Sequence, residues 1–190
     1  MARRWYTAGT ITGMQGDVVH VSFKQMQFSP EPLTSEAFQP FGKVLEHSGA
    51  ARRHMIESNF SQKKEDLRQA IWVSRLPDAS QFPLVIDQLE RHPHSHQAFI
   101  PLLEKPFLVV CCPDLPDGAP DLARTKAFIA EPGQGVIYRR NVWHAGLRVL
   151  SAPAEFVVVM ALSDKDDDVL LDLETRLLIG GNAEGNGEEA

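Results

Sequence analysis

Only two cysteines occur in 190 residues, Cys111 and Cys112, and they are adjacent, so no disulfide framework can be built from them. Both are expected as reduced, buried thiols of a cytoplasmic protein, since no basic group or helix start stands nearby to lower a thiol pKa. Cations are in the minority: 19 Lys and Arg against 25 Asp and Glu leave a formal charge of -6, and the basic residues are scattered. That excludes the broad basic footprint of a nucleic-acid binder. Long apolar runs are missing too, the longest (Phe107 to Cys112 and Phe156 to Leu162) being strand-sized and far short of the roughly 18 residues a membrane span needs. The basic opening Met1-Ala-Arg-Arg-Trp-Tyr lacks the apolar core of a secretory signal. No internal repeat is visible. The expected partner is therefore a small molecule, with no nucleic acid and no membrane.

What is present reads as one β domain. Residues 1–25 form an N-terminal extension for which disorder is one expectation, 26–179 the domain, and 180–190 a small, acidic, disordered tail. Thr34 to Gly42 suggests a short helix, with a Thr or Ser cap, Phe38 and Phe41 three apart, and Gly42 as the stop. His47 to Leu67 is polar and aperiodic, so loops are expected. Strand-like runs then follow closely: Ala70 to Arg75, Leu84 to His92, Gln97 to Leu102, Phe107 to Cys112, Arg124 to Ala130, Gly135 to Arg139, Trp143 to Leu150 and Glu155 to Leu162. Pro113 to Pro120 is a turn-dense loop. Asp164 to Asp168 reads as a solvated acidic corner, and periodicity leaves Val169 to Ile179 open between helix and strand. Short strands punctuated by Pro and Gly predict a mainly β fold, an antiparallel sandwich or barrel with a few short helices.

The chemistry-bearing residues are concentrated. Three of the seven histidines, His92, His94 and His96, fall between Glu90 and Pro101. In a strand, alternate side chains share a face, so Glu90 and His92 point one way with Leu84, Ile86 and Gln88, while Arg91 points the other. Pro93 breaks the strand, His94 and His96 are expected as exposed turn residues, and Gln97 opens the next strand. Glu90-x-His92, then Gln97, then Gly133 with eleven residues to His144 reproduces the two-part spacing of the cupin metal site, with Glu90 where the first His is usual and Gln97 where Glu is usual. A divalent metal of the Ni, Zn or Mn type would find ligands in Glu90, His92 and His144, with Gln97 a weak fourth.

The segments Leu-Glu-Arg-His-Pro, Gln-Ala-Phe-Ile-Pro and Gly-Val-x-Tyr-x-Arg-Asn-Val-Trp-His together resemble the ureidoglycolate lyase family of cupin-fold enzymes, with weaker similarity from about Met26 to Leu162. The resemblance implies a cupin-like antiparallel β-barrel of jelly-roll type, and a lyase of the amidine-lyase type that releases urea from ureidoglycolate to give glyoxylate in allantoin and purine breakdown, as a cytosolic homodimer. It carries over Glu90, His92, Gln97, Tyr138, Arg140, Trp143 and His144. The chain departs from the family pattern at Arg139, where His is common, at Ile56-Glu-Ser-Asn59, and at Met160 in the last long strand. Chemistry assigns Glu90, His92 and His144 as catalytic groups able to hold or move protons and Arg140, with Arg139, as substrate-binding groups that grip a carboxylate; the resemblance implies Gln97, Tyr138 and Trp143 as further substrate-binding residues. The rival readings are a non-catalytic cupin that binds a small carboxylate, and a metal-dependent cupin enzyme acting on another small 2-hydroxy or 2-oxo acid.

Overall fold

From Leu67 to Leu76 exposure alternates, Trp72, Ser74 and Leu76 facing in and Ile71, Val73 and Arg75 facing out, the signature of a strand with one buried face. A computed structural model of the chain describes residues 9–12, 18–21, 24–60, 67–163 and 168–180. Its strands are β1 (Gly9–Thr12), β2 (Val18–Val21), β3 (Lys24–Phe28), β4 (Glu31–Pro32), β5 (Gly42–Leu45), β6 (Leu67–Leu76), β7 (Leu84–Arg91), β8 (Gln97–Pro101) and β9 (Phe107–Cys112). After these come β10 (Lys126–Ala130), β11 (Gly135–Tyr138), β12 (Trp143–His144), β13 (Arg148–Val149), β14 (Ala154–Ser163) and β15 (Val169–Ile179). Beside them stand a helix, α1 (Ser35–Phe38), and a 3-10 turn at Leu122–Arg124.

Two curled sheets make a cupin-like β fold. One runs β3-β15-β7-β12-β9-β10-β4, with β13 also on β9, and the other β5-β11-β8-β14-β6. Pairing is antiparallel except where β4 joins β10 and β3 joins β15. β1 and β2 pair as a hairpin, and β3 opens at Lys24 beside the C-terminal strand. The tail expected at 180–190 lies outside the described residues beyond Gly180, as does 164–167 of the acidic corner.

β9 is buried on both faces. Phe107, Val109 and Cys111 face the interior between the sheets with Phe38, Phe128, Val136, Tyr138 and Phe156. Leu108, Val110 and Cys112 face a second cluster with Leu89, Trp143, Leu177 and Ile179. Burial pushes the Cys112 thiol up to about 12 and raises the Cys111 thiol well above its ordinary value, so both are packing thiols.

Several sequence expectations are corrected by this packing. The helix is one turn, capped by the Thr34 hydroxyl accepting from the Ala37 N–H at 3.1 Å, and Gly42 begins β5 rather than ending the helix. The reason is close approach: a Cβ at Gly42 would run into the Ile137 carbonyl of β11. Trp143 to Leu150 is two short strands, because β12 bridges β7 and β9 whereas β13 pairs only with β9. Val169 to Ile179 is a strand. In β7 the in-out alternation slips at Asp87 and Gln88, both exposed, opposite an irregularity in β15 between Asp172 and Leu177. Leu84 and Ile86 therefore pack with Leu89 in the second cluster, on the face opposite Glu90 rather than beside it.

Candidate functional site

β12 places His144 directly across from Glu90 on one side and Cys111 on the other. The opposite sheet brings Gln97 and Tyr138, register partners at the ends of β8 and β11. The turn between Tyr138 and Trp143 closes through Asn141, whose φ of 62° lies in the left-handed region that Asn tolerates, and whose N–H donates to the His92 carbonyl at 3.0 Å. Two distant segments are thus locked together at the backbone.

The side chains converge. One ligand atom from each of Glu90, His92 and His144 lies within 4.8 Å of the others, and the two imidazoles stand 5.2 Å apart. His144 Nδ1 faces the Val142 carbonyl at 2.9 Å, which can only accept, so Nδ1 carries a proton. Its Nε2 faces Gln97 Oε1 at 3.1 Å and Glu90 Oε1 at 3.4 Å. Two oxygens opposite one nitrogen repel it unless that nitrogen holds a proton or a cation sits among them. Gln97 is kept in this orientation by Met160, whose Sδ accepts from Nε2 at 3.6 Å.

His92 is oriented from behind. Its Nδ1 donates to Asp168 Oδ1 at 2.7 Å, leaving Nε2 buried with no hydrogen-bond partner among the described residues. Burial lowers its pKa, the charge of His144 lowers it further, and the charges of Asp168 and Glu90 oppose without prevailing. For Glu90, burial pushes the carboxyl up, but the hydrogen bond and charge of His144, with the charges of His92 and Arg148, outweigh it and hold it below the usual carboxylate range. The cluster rests at neutral pH as a carboxylate beside a neutral His92.

This donor set fits a divalent cation. Both ring Nδ1 protons are fixed by oxygen acceptors, as in metal-bound histidines, which frees each Nε2, and the orphaned Nε2 of His92 is the atom a metal would satisfy.

The remaining expected residues separate. Tyr138 is buried and stacks on His144, centroids 4.2 Å apart at 19°; burial drives its hydroxyl pKa up. Trp143 lies on the opposite face from His144, in the second cluster, its Nε1 donating to the Gly118 carbonyl at 3.0 Å and Arg91 above its ring at 4.4 Å. Arg140 is half-buried, its Nε without a partner among the described residues. Arg139 is exposed and points, with Lys43, into a separate cleft. His94 is a half-buried turn residue. His96, expected on an exposed turn, instead lines that cleft.

Sequence reasoning misses Asp168, which reads as part of a solvated corner and is the partner of His92, and Arg148, whose charge reaches Glu90. Asp168 sits next to an apolar strand rather than near a motif, so only its place at the start of β15, one residue before the Val169 to Arg91 pairing, reveals it. Asp168→Asn should lower turnover or metal affinity about 10- to 100-fold while leaving the thermal midpoint within a few degrees, because this carboxylate is 57% exposed. An unchanged rate would remove Asp168 from the site.

A family model described as ureidoglycolate lyase matches residues 25–178 of the chain. Among curated proteins, the ureidoglycolate lyase of Chelativorans sp. (strain BNC1) is 38% identical over 138 residues, covering 68% of this chain and 81% of the relative. That of Mesorhizobium japonicum is 37% identical over 142 residues, 70% and 85%. That of Brucella anthropi is 40% identical over 146 residues, 72% and 84%.

Proposed function

The chain belongs to the ureidoglycolate lyase family and is by that membership a lyase, and from this premise we propose that it splits ureidoglycolate into glyoxylate and urea at the cluster of Glu90, His92, Gln97 and His144. Ureidoglycolate is a hemiaminal carrying a carboxylate. Its hydroxyl loses a proton, the carbon to nitrogen bond breaks as the aldehyde forms, and the departing urea nitrogen gains a proton; no water enters or leaves.

The observation that carries the reading is the opposed setting of two adjacent imidazoles. His92, with Nδ1–H held by Asp168 and Nε2 bare, is arranged to take the hydroxyl proton. His144, with Nε2 facing Glu90 and Gln97, is arranged to hold a proton and deliver it to the urea nitrogen. Glu90 stabilises the proton on His144, and Tyr138 keeps the ring in place by stacking. Arg140 is the anchor for the substrate carboxylate, its Nε, buried and without a partner among the described residues, supporting that role. Should the cluster carry a divalent ion of the Ni, Zn or Mn type, Glu90, His92 and His144 would hold it, with Gln97 weaker, and the chemistry supplied would be polarisation of the substrate's oxygen. The test is a coupled assay for urea and glyoxylate from racemic ureidoglycolate, on metal-stripped and on Ni- or Mn-supplemented protein. Equal amounts of both products support the lyase, and no product in either preparation sinks it.

The rate should also report His92. Because its pKa is lowered, the neutral base persists below the ordinary histidine value of about 6.5, so the acid limb of kcat/KM should fall at a pH below that value. Stability follows the same sign. Between the lowered and ordinary values the folded chain binds fewer protons than the unfolded one, so the contributions of His92 and Glu90 are complete above their ordinary values and drain as pH falls through the folded ones. An acid limb above pH 6.5 would exclude His92 as the base.

The homodimer is supported by an outward stripe on the second sheet: Ile71 and Val73 of edge strand β6, 72% and 57% exposed, alongside Val157, Val159 and Ile100. Val73→Glu should convert a dimer to a monomer in light scattering at micromolar concentration; an unchanged mass moves the interface elsewhere. A cytoplasmic location accords with the two buried, unpaired thiols.

A further inference from the structure

Behind the proposed active site, on the outward face of β5 and β11, lies a cleft of about 540 Å³ that the proposed lyase reaction does not use. Its floor is Ile137, buried and flanked in sequence by Val136 and Tyr138, whose side chains face the interior. Successive strand residues point to opposite faces, so the sheet itself separates this cleft from His144.

Its walls are rich in donors. Lys43 and Arg139 line it, and the Arg139 guanidinium has no hydrogen bond or ion pair among the described residues. Lys43 Nζ donates to the Glu57 backbone carbonyl at 2.5 Å, which leaves two of its protons free. The third donor is His96. The Asn59 backbone N–H, which can only donate, approaches His96 Nδ1 at 3.3 Å, and the Ser58 hydroxyl lies 3.2 Å from the same atom. Nδ1 is therefore the acceptor, and the ring's proton is on Nε2. Burial lowers the pKa of this imidazole and the charges of Arg140, Lys43 and Arg139 lower it further, so positive charge gathers at a half-enclosed, partly apolar surface. Glu57, also in the lining, is the one acidic residue among the described residues that line the cleft.

We propose that this cleft is a second binding site, for a small carboxylate carrying N–H or O–H donors at its other end. The carboxylate pairs with Arg139 and Lys43, the short carbon chain lies on Ile137, and the distal donors reach Glu57. A ureido acid or a hydroxy acid of two to four carbons has this pattern. The proposal is independent of which reaction the Glu90 cluster performs.

The probe is N-carbamoylglycine, a ureido acid without the hydroxyl that cleavage requires, titrated calorimetrically into the full chain, with inorganic phosphate as a second arm. The titration is repeated on Arg140→Ala, Arg139→Ala and Lys43→Met, with thermal melts to confirm folding. Binding within threefold of the unaltered chain in Arg140→Ala, with a tenfold or greater loss in Arg139→Ala and in Lys43→Met, supports the second site. Retained binding in Arg139→Ala with a tenfold or greater loss in Arg140→Ala places the probe in the active site and overturns the proposal, as does no binding to the unaltered chain. Phosphate binding without N-carbamoylglycine binding overturns the assignment to carboxylates. Should Arg139→Ala fail to fold, Arg139→Lys and Glu57→Gln carry the same decision, the second weakening the ureido probe while leaving acetate unaffected.

Discussion

His144→Gln should lower the turnover of ureidoglycolate by about a hundred- to ten-thousand-fold, read as urea and glyoxylate released at saturating substrate. The size follows from what the side chain does at two atoms. Nδ1 is committed to the Val142 carbonyl, so the ring cannot turn away, and Nε2 is the atom presented to Glu90 and Gln97. Glutamine can occupy much of the space and keep a donor toward Glu90, which limits the structural damage, but it cannot exchange a proton at useful pH. The loss should therefore fall on kcat more than on KM, because binding of the substrate carboxylate is assigned to Arg140. A comparison of stripped and metal-supplemented protein then sorts the role. Were the ring a ligand, His144→Gln would bind metal far more weakly in equilibrium dialysis. Were it only a proton carrier, the rate would fall with no change in metal content. Activity within threefold of the unaltered chain in both preparations would exclude His144 from the chemistry altogether.

The site was legible in sequence where strand periodicity and spacing suffice. Glu90, His92 and His144 were found because an x-separated pair on one strand and a lone histidine in a second segment form a local pattern, and the barrel's register brings them together. What sequence does not carry is which face a neighbour belongs to once the alternation slips. Leu84 and Ile86 were expected beside Glu90, and the irregularity at Asp87 and Gln88 turns them away. Arg139 and Arg140 are adjacent in sequence, yet Arg139 is exposed and lines the cleft while Arg140 is half-buried, a difference that adjacency does not carry. Asp168 was invisible for another reason: it lies 76 residues from His92, and an aspartate at the end of an acidic run has no periodicity to mark it as bound. The departures at Asn59 and Met160 also gain a meaning. Asn59 fixes the His96 tautomer through its backbone, a contact any residue can make, and Met160 holds the amide of Gln97.

A second large effect is expected far from the reacting atoms. Phe38, in the single turn of α1, is fully buried and meets Phe128 edge-on at 5.8 Å, Phe41 at 6.1 Å and Tyr138 at 5.7 Å. Phe38→Ala should cost about 3–5 kcal/mol, a large share of the roughly 5–15 kcal/mol typical of a domain, measured as a fall in the urea midpoint at constant slope. Phe38→Leu, which keeps most of the volume, should cost about 1–2 kcal/mol. Tyr138 links this aromatic group to the site, since its ring also stacks on His144. The folded fraction of Phe38→Ala should therefore also turn over more slowly, the Tyr138 ring having lost the support that holds it against the imidazole. Phe156→Ala separates the two effects. Phe156 is equally buried but packs on Phe107 at 5.1 Å, at the end of β14 paired with Pro101 rather than with Gln97. It should destabilise by a similar amount with kcat per folded molecule unchanged. Equal losses of kcat in both variants would mean that Phe38 acts on stability alone and that Tyr138 holds His144 without help from the helix.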